Sequence, residues 1–326
     1  MSRRWLGRSR RCERGAVTLT TPPRQVRAIG AFALVTLIWG STWLVIKDQV
    51  GVLPPAWAVT CRFALAAAGM FALALARRES LTLPPRTLAF ATLLGLCQFF
   101  GNFQLVYRAE QHITSGLVAV IFALLLVPNT LLGRIFVGTR VSGRFLAGSA
   151  VAIAGIALLM LHEYRAGPAG GAAVMTGIAL TGMAVLCAST ANVMQATQIA
   201  RRTSTVVLIA WAMAAGALAD FAFAWVTAGP PTFDLGTRQL LGVAYLAIMG
   251  SVVTFPLYFA LIRDWGPGPA AYSSVLIPVV AMGLSTLFEG YRWSALAEAG
   301  AALAMVGLVI ALSPERQARR PSRKVG

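Results

Sequence analysis

The sequence predicts an all-α integral membrane protein whose ten transmembrane helices form two inverted five-helix repeats. Three observations lead to this fold class. Hydrophobic residues make up 57% of the 326 residues and charged residues only 12%, whereas about 25% of a soluble domain is charged. Ten apolar segments are long enough to cross a hydrocarbon core of about 30 Å. One pattern of small residues occurs twice, 152 residues apart.

The ten apolar segments are predicted helices because each would reach across roughly 25 to 35 Å at ~1.5 Å per residue. Six of them contain no charged residue. The other four carry one each, namely Arg62, Arg134, Asp220 and Glu298. The predicted spans are 29–46, 56–76, 87–106, 117–137, 145–161, 174–196, 206–226, 240–262, 270–288 and 295–312.

The duplicated pattern lies in the fifth and tenth predicted helices. Gly148 and Gly155 stand about two turns apart, as do Gly300 and Gly307, so each pair opens one helix face to another backbone. Because each half has an odd number of helices, two similar halves must lie in opposite orientations across the bilayer. The matched positions are Ala147, Gly148, Ala150, Ala152 and Gly155, and Ala299, Gly300, Ala302, Ala304 and Gly307.

The formal net charge of +17 is concentrated in two basic tails, residues 1–28 and 314–326, which flank the predicted repeats at 29–161 and 173–313. The positive-inside rule places such tails on the cytoplasmic face, where anionic lipid attracts them, so both termini are predicted to be cytoplasmic. No folded basic face with interleaved aromatic residues is evident, so a nucleic-acid partner is not expected. The expected partners are a lipid bilayer and a small-molecule substrate.

Residues that the sequence lacks limit the energy source and the chemistry. A nucleotide-binding loop needs Gly-Lys-Ser/Thr, and neither Lys47 nor Lys324 follows a glycine. The cysteines are isolated, and His112 and His162 fall in short loops, so neither a metal site nor a catalytic set is predicted. We therefore expect no cofactor and no enzymatic activity. Transport would run downhill or on an ion gradient, unless a separate subunit supplies energy.

Proline interrupts the fourth and ninth predicted helices at corresponding places. Pro128 and Pro278 lie near the middle of those spans, where each removes a backbone hydrogen bond and bends the helix. Corresponding breaks in two repeats are typical of the central binding site of a secondary transporter, so both prolines are predicted hinges. Kinks that only improve packing are the alternative interpretation.

Amide side chains within apolar spans mark a predicted substrate-binding site. Gln98 and Asn102 lie one turn apart on the third helix, Asn129 lies on the fourth and Asn192 on the sixth. An amide that faced lipid would lose its hydrogen-bond partners, so these side chains should face the protein interior. There they either join helices, with bonds worth ~0.6 kcal/mol on average, or line a cavity.

Aromatic and hydroxyl side chains complete the predicted binding site. Trp39, Trp211, Tyr258 and Ser274 lie where they could form cavity walls. Most tryptophans and tyrosines of membrane proteins are interfacial anchors instead. That interpretation fits the tryptophans near helix ends, which are Trp43, Trp57, Trp225, Trp265 and Trp293.

Three ionisable residues within the spans are candidates for coupling transport to an ion gradient. Arg62 and Asp220 lie at matched depth on the second and seventh helices, where they could form a pair. Snorkelling of Arg62 to the membrane surface is the simpler alternative. Glu298 lies in the first turn of the tenth helix, where it would stabilise the helix N-terminus or take part in proton coupling.

Four short motifs carry a family resemblance. They are Leu37-Ile38-Trp39-Gly40-Ser41 with Lys47, Arg62-Phe63, Tyr107-Arg108-Ala109 and Leu276-Ile277-Pro278. With these motifs, residues 29 to 313 resemble the EamA-type transporters of the drug/metabolite transporter superfamily. The family's Gly-Glu after the fourth helix reads Gly138-Thr139 here, whereas Phe288-Glu289-Gly290 matches the second copy. A symmetric glutamate pair is therefore not expected.

The resemblance implies a secondary transporter of the bacterial inner membrane that exports small metabolites, such as amino acids, without ATP. The alternative is an efflux carrier for multiple drugs or cationic compounds, which would need an apolar cavity with an accessible acidic residue. A non-transporting membrane protein, such as an intramembrane enzyme, would need convergent catalytic side chains, and these are missing from the sequence.

Overall fold

The computed structural model describes residues 24–138, 141–166, 171–232, 236–265 and 273–313, and every regular element within them is a helix. The first helix begins at Arg24, within the predicted tail 1–28, since a helix can continue past its apolar span into the polar interface. The remainder of that tail, the tail 314–326 and Thr139 lie outside the described residues.

We number the main helices α1 to α10 in chain order. The uninterrupted ones are α1 (Arg24–Val50), α2 (Pro55–Ala76), α5 (Gly143–Ala166), α6 (Gly171–Gln195), α7 (Thr205–Ala228), α9 (Ser273–Phe288) and α10 (Ala295–Leu312). Two contain a π-helical turn: α3 (Pro85–Gly95, turn Leu96–Gly101, Asn102–Ala109) and α8 (Thr237–Ala247, turn Ile248–Val253, Thr254–Trp265). In α4, a 3-10 turn separates two helical pieces (Ser115–Phe122, turn Ala123–Leu125, Leu126–Val137). A short helix, Gln198–Arg202, connects α6 to α7.

Within the described ranges, eight helices, α1 to α8, contain a stretch long and apolar enough to cross a membrane. The described parts of α9 and α10 contribute shorter apolar stretches, Leu276–Phe288 and Ala295–Ala311. These lengths confirm the prediction of a multi-pass helical membrane protein. The count of ten spans and the inverted orientation of the halves stay predictions.

The two π-helical turns have no signature in the hydrophobic pattern. They lie 152 residues apart, which is the offset of the duplicated glycines. A π turn accommodates an extra residue and disturbs the regular ladder of hydrogen bonds. In α8, the Ser251 hydroxyl donates to the carbonyl of Leu246 at 3.0 Å and the Thr254 hydroxyl to that of Met249 at 2.9 Å. Side chains of the same helix thus satisfy the disturbed backbone.

The predicted proline interruptions take different forms in α4 and α9. In α4, the tight turn Ala123–Leu125 lies just before Pro128. Because the proline nitrogen cannot donate to the carbonyl of Leu124, the helix leaves its regular geometry there. In contrast, α9 continues as an α-helix through Pro278.

Helices from the two halves of the chain pack in matching pairs. The α5 helix packs along α10, and α2 packs along α7. The α1 helix packs against α8 and α9, and α6 correspondingly packs against α3 and α4. The same packing pairs result when each helix of the first half is replaced by its counterpart in the second half, α1 by α6, α2 by α7 and so on, and the reverse.

The duplicated glycines bring the backbones of α5 and α10 into direct contact. A Cβ atom on Gly148 would lie 2.6 Å from the carbonyl oxygen of Gly307, and one on Gly155 would lie 2.6 Å from that of Gly300. Gly148 meets Gly307, and Gly155, which comes later in α5, meets Gly300, which comes earlier in α10. The two helices therefore run antiparallel. The close approach predicted from the sequence is confirmed, and these contacts leave no room for a side chain.

We expect Gly155→Ala to destabilise the protein, because the added methyl group would lie 2.3 Å from the backbone nitrogen of Ala304. Overpacking costs ~1–3 kcal/mol, so the apparent Tm and the yield of monodisperse protein in detergent should both fall. Gly182→Ala in α6 is the matched control, since a Cβ atom there meets nothing within 4 Å. Equal Tm values and yields for the two variants would contradict this packing.

Candidate functional site

A cavity of about 160 Å³ lies between α1, α2, α3, α4, α6, α8 and α9. A cavity of this volume has room for several water molecules, so it suits a small solute. Aromatic, amide and hydroxyl side chains form much of its wall. They are Trp39, Thr42, Trp43, Gln98, Asn102, Phe103, Phe122, Asn192, Gln195, Phe255, Tyr258 and Ser273.

The structure brings five of the eight predicted substrate-binding residues to this cavity: Trp39, Gln98, Asn102, Asn192 and Tyr258. Arg62 and Pro278, predicted as a coupling residue and a hinge, also line it. Asn129, Trp211 and Pro128 are not among its lining residues. Ser274 is the second residue of α9, and its side chain lies outside the described part of the protein.

Trp39 joins α1 to the π turn of α8. Its indole Nε1 donates to the carbonyl of Gly250 at 3.2 Å. The centroid of its ring lies 5.0 Å from that of Tyr258 and 5.6 Å from that of Phe255. This ring is therefore held between two helices and presents its remaining surface to the cavity.

Trp43, which was interpreted from the sequence as an interfacial anchor, also lines the cavity. Its ring centroid lies 5.2 Å from that of Phe122 on α4. Because α1 continues to Val50, Trp43 lies within the helix rather than at its end.

The π turn of α3 determines which side chains form that wall. Gln98 and Asn102 are buried and line the cavity, as does Phe103. A π turn places residues five apart on the same side, so Phe103 joins Gln98. Sequence reasoning missed Phe103 because an ordinary helix would turn it away. Gln104 lies on another face of α3, where it meets Asp220 of α7.

Asn192 connects α6 with α4. Its Nδ2 lies 3.5 Å from the Oδ1 of Asn129, a long hydrogen bond. Asn129 therefore positions Asn192 instead of lining the cavity itself. The cavity continues to Gln195, the last residue of α6, and to Ser273, the first residue of α9. We call this side of the cavity the Gln195 end.

Arg62 points into the bundle and is 2% exposed, so it does not snorkel to the membrane surface. Its Cζ lies 4.4 Å from the ring centroid of Phe103 and 5.1 Å from that of Phe63. Its Nη1 lies 3.4 Å from the Tyr107 hydroxyl. The guanidinium is thus held by aromatic faces at the cavity wall.

Asp220 does not pair with Arg62. It accepts a 2.8 Å hydrogen bond from the Nε2 of Gln104, and no described contact joins it to Arg62. The reason is helix rotation, because Asp220 meets the face of α3 that points away from the cavity. Glu298 lies exposed in the first turn of α10, which fits stabilisation of that helix N-terminus.

Trp211 lies away from the cavity, against the connection between α2 and α3. Its indole Nε1 donates to the carbonyl of Leu81 at 2.9 Å, and its ring packs edge-on against Phe71 at 5.3 Å. This tryptophan fixes the start of α7 to that connection, outside the wall of this cavity.

A polar cluster lies at the opposite side from the Gln195 end, with Glu110 buried and Lys47 and Glu289 half-buried. Lys47 donates to the carbonyls of Glu110 and Ile113, in the turn between α3 and α4. Burial raises the pKa of the Glu110 carboxyl well above its usual range, against the opposing effect of Lys47. Glu289 accepts hydrogen bonds from the backbone nitrogen (3.1 Å) and the hydroxyl of Ser115, at the start of α4. We call this side the Lys47 end.

Comparison with known families decides the class of the protein. The EamA-like transporter family matches residues 26–161 and 175–313, which together cover most of the chain. The chain belongs to the EamA-like transporter family. It is therefore a transmembrane transporter, as the resemblance of its motifs implied.

Relatives with curated names agree with this assignment. The chain is 30% identical to the inner membrane transporter YedA of Escherichia coli K12, over 90% of this chain and 94% of that one. It is 27% identical to protein PagO of Salmonella typhimurium, over 83% and 88%. It is 26% identical to a probable amino-acid metabolite efflux pump of Escherichia coli K12, over 85% and 92%.

A solved crystal structure shares the fold. It superposes with a TM-score of 0.65 over 88% of this chain and 96% of the other, at 20% sequence identity. At that identity, the likeness concerns the fold alone.

Cysteine labelling tests the cavity wall. In a background without Cys12, Cys61, Cys97 and Cys187, we expect a water-soluble maleimide applied to both membrane faces to modify Asn102→Cys and Asn192→Cys, because both positions line the cavity.

The control for this labelling is Gln104→Cys, on the same helix as Asn102 but on a face that is buried against α7. It should stay unmodified under the same conditions. Equal modification at all three positions, or at position 104 alone, would show that the wall has been assigned to the wrong helix face.

Proposed function

We propose that the protein is a secondary transporter that exports small polar metabolites, such as amino acids, without ATP. The observation that carries the proposal is the cavity, in which amides of α3 and α6 face aromatic rings of α1 and α8. Sites for small molecules typically combine apolar walls with a few polar groups that fix orientation. The relative named as a probable amino-acid metabolite efflux pump supports the same substrate class.

We further propose ten spans in two inverted repeats, residues 29–161 and 173–313. Three observations support this arrangement. The helix pairings are unchanged when the halves are exchanged, the π turns share the 152-residue offset of the glycines, and α5 and α10 run antiparallel. In such a carrier, the halves rock about a central site. Pro128 and Pro278 are the proposed hinges.

The arginine distribution supports an orientation with both termini in the cytoplasm. The inner membrane is the proposed location, in keeping with the name of YedA. In this orientation, the Gln195 end of the cavity faces the cytoplasm and the Lys47 end faces the periplasm.

The chemistry of the cavity disfavours the alternative of a carrier for cationic drugs. A site for such cations would need an acidic residue in its wall. Among the described lining residues, Arg62 is charged and none is acidic.

A growth screen tests export. Cells that overproduce the protein should tolerate toxic amino-acid analogues better than cells with an empty vector. Asn102→Ala should abolish this advantage at unchanged membrane abundance, because losing one partner of a buried polar contact costs ~1–3 kcal/mol.

Thr190→Ala is the matched control for the growth screen. Thr190 is exposed on α6 and its hydroxyl donates to Leu186 of the same helix. This variant should protect cells as well as the wild type does. Protection against cationic dyes, with none against the analogues, would contradict the proposed substrate class.

Reporter fusions test the orientation and the number of spans. Fusions after Gly138 and after Arg202 should report the cytoplasm, and a fusion after Gly229 should report the periplasm, because each added span reverses the side. A cytoplasmic signal after Gly229 would disprove the ten-span arrangement.

A further inference from the structure

The cavity wall contains a buried cation with unused hydrogen-bonding capacity. Arg62 is 2% exposed, and its Nε has no hydrogen-bond partner among the described residues. The contact of its Nη1 with the Tyr107 hydroxyl is long, at 3.4 Å. A buried ion is costly unless it is paired and hydrogen-bonded, so this guanidinium calls for an anionic partner.

Aromatic rings hold the Arg62 guanidinium in place but do not supply the anionic partner that it needs. Phe103 and Phe63 lie 4.4 and 5.1 Å from its Cζ. A ring face attracts a cation but offers no acceptor to match the five N–H donors of an arginine. The rings therefore orient the guanidinium and leave donors for another group.

Two carboxylates lie in neighbouring parts of the bundle, and neither binds Arg62. Asp220 accepts from Gln104, and its second oxygen has no partner in the described contacts. Glu110 lies at the Lys47 end, near enough for Arg62 to favour its charged form, but neither of its carboxyl oxygens has a described hydrogen-bond partner. The cavity beside Arg62 is thus the place from which a counter-charge can reach the guanidinium.

We infer that Arg62 binds the carboxylate of the transported solute. This inference rests on the proposed function. It narrows the substrate class to small monocarboxylates with an apolar side chain, which include zwitterionic amino acids. The planar guanidinium matches a carboxylate with two parallel hydrogen bonds. Trp39 and Tyr258 offer ring faces to the apolar part of the solute, and Asn102 offers an amide.

The same charge also selects against other solutes. A cationic amine without a carboxylate would meet Arg62 as a like charge in a site of low dielectric constant. Repulsion of this kind separates two classes of ligand even where their apolar parts are identical.

The test compares each acid with the amine that lacks its carboxylate. Detergent-solubilised protein is titrated with L-leucine, L-phenylalanine, 3-methylbutylamine and 2-phenylethylamine while its Tm is recorded. A ligand that binds only the native state raises the Tm, and it does so by more the further its concentration exceeds its Kd. The wild type should be stabilised by at least one acid at concentrations at which the matching amine has no effect.

Substitutions at position 62 should change this preference. Arg62→Gln should weaken binding of the acid by ~10- to 100-fold and bring its affinity towards that of the amine. Arg62→Lys should keep the preference for the acid with weaker binding, because lysine retains the charge but not the planar fork. The preference is measured within one folded variant, so it remains informative when a variant is less stable.

Arg108→Gln is the matched control, since its guanidinium also lies over a phenylalanine ring, 4.6 Å from Phe223, but outside the cavity wall. It should bind the acid as the wild type does. Unchanged affinity and preference in Arg62→Gln would overturn the inference and leave the proposed export function standing. The inference would also be overturned if the amines alone stabilise the wild type, or if neither acid stabilises it. The growth screen decides separately whether the protein exports amino-acid analogues.

Discussion

The structure depends on one constraint, which is that a backbone group inside a hydrocarbon layer needs its hydrogen-bond partner within the protein. Regular helices meet this constraint by themselves. Where α8 departs from regular geometry, the carbonyl of Gly250 accepts from Trp39, and Ser251 and Thr254 serve other carbonyls of the same helix. Trp39, which satisfies one carbonyl of this irregular turn, is also part of the cavity wall.

Much of the fold could be predicted because its signals are local. Apolar length determines the helices, and the glycine pairs of α5 and α10 indicate backbone contact because only a residue without Cβ permits it. Part of the site follows from a similarly simple rule, that a polar group in an apolar span must face the protein interior. Gln98, Asn102 and Asn192 obey that rule, and all three line the cavity.

The rest could not be predicted because the rule says only that a side chain faces inward, not which neighbour it meets. Trp211 faces inward and bonds the carbonyl of Leu81, and Asp220 meets Gln104 instead of Arg62. The neighbour that each side chain meets depends on the rotation of its helix. Packing between distant parts of the chain determines that rotation. The π turn of α3 adds a second difficulty, since one extra residue brings Phe103 to the cavity without any change in the hydrophobic pattern.

The two ends of the cavity differ in the strength of the bonds that hold them together. At the Lys47 end, an ammonium group and a carboxylate bind backbone groups of the α3–α4 turn and the start of α4. Hydrogen bonds to charged groups are worth about 1.5–3 kcal/mol each, more than neutral ones. At the Gln195 end, the long contact between Asn192 and Asn129 and the side-chain hydrogen bond between Tyr258 and Ser273 both join neutral groups. The corresponding turn after α4 reads Gly138-Thr139 and supplies no equivalent of Glu289. In a carrier whose halves rock as proposed above, the bonds named here that join the two halves are those of Glu289 to Ser115 at the Lys47 end and the contact of Asn192 with Asn129 at the Gln195 end. The carboxylate makes the first of these the stronger, so opening the Lys47 end would cost more than opening the Gln195 end.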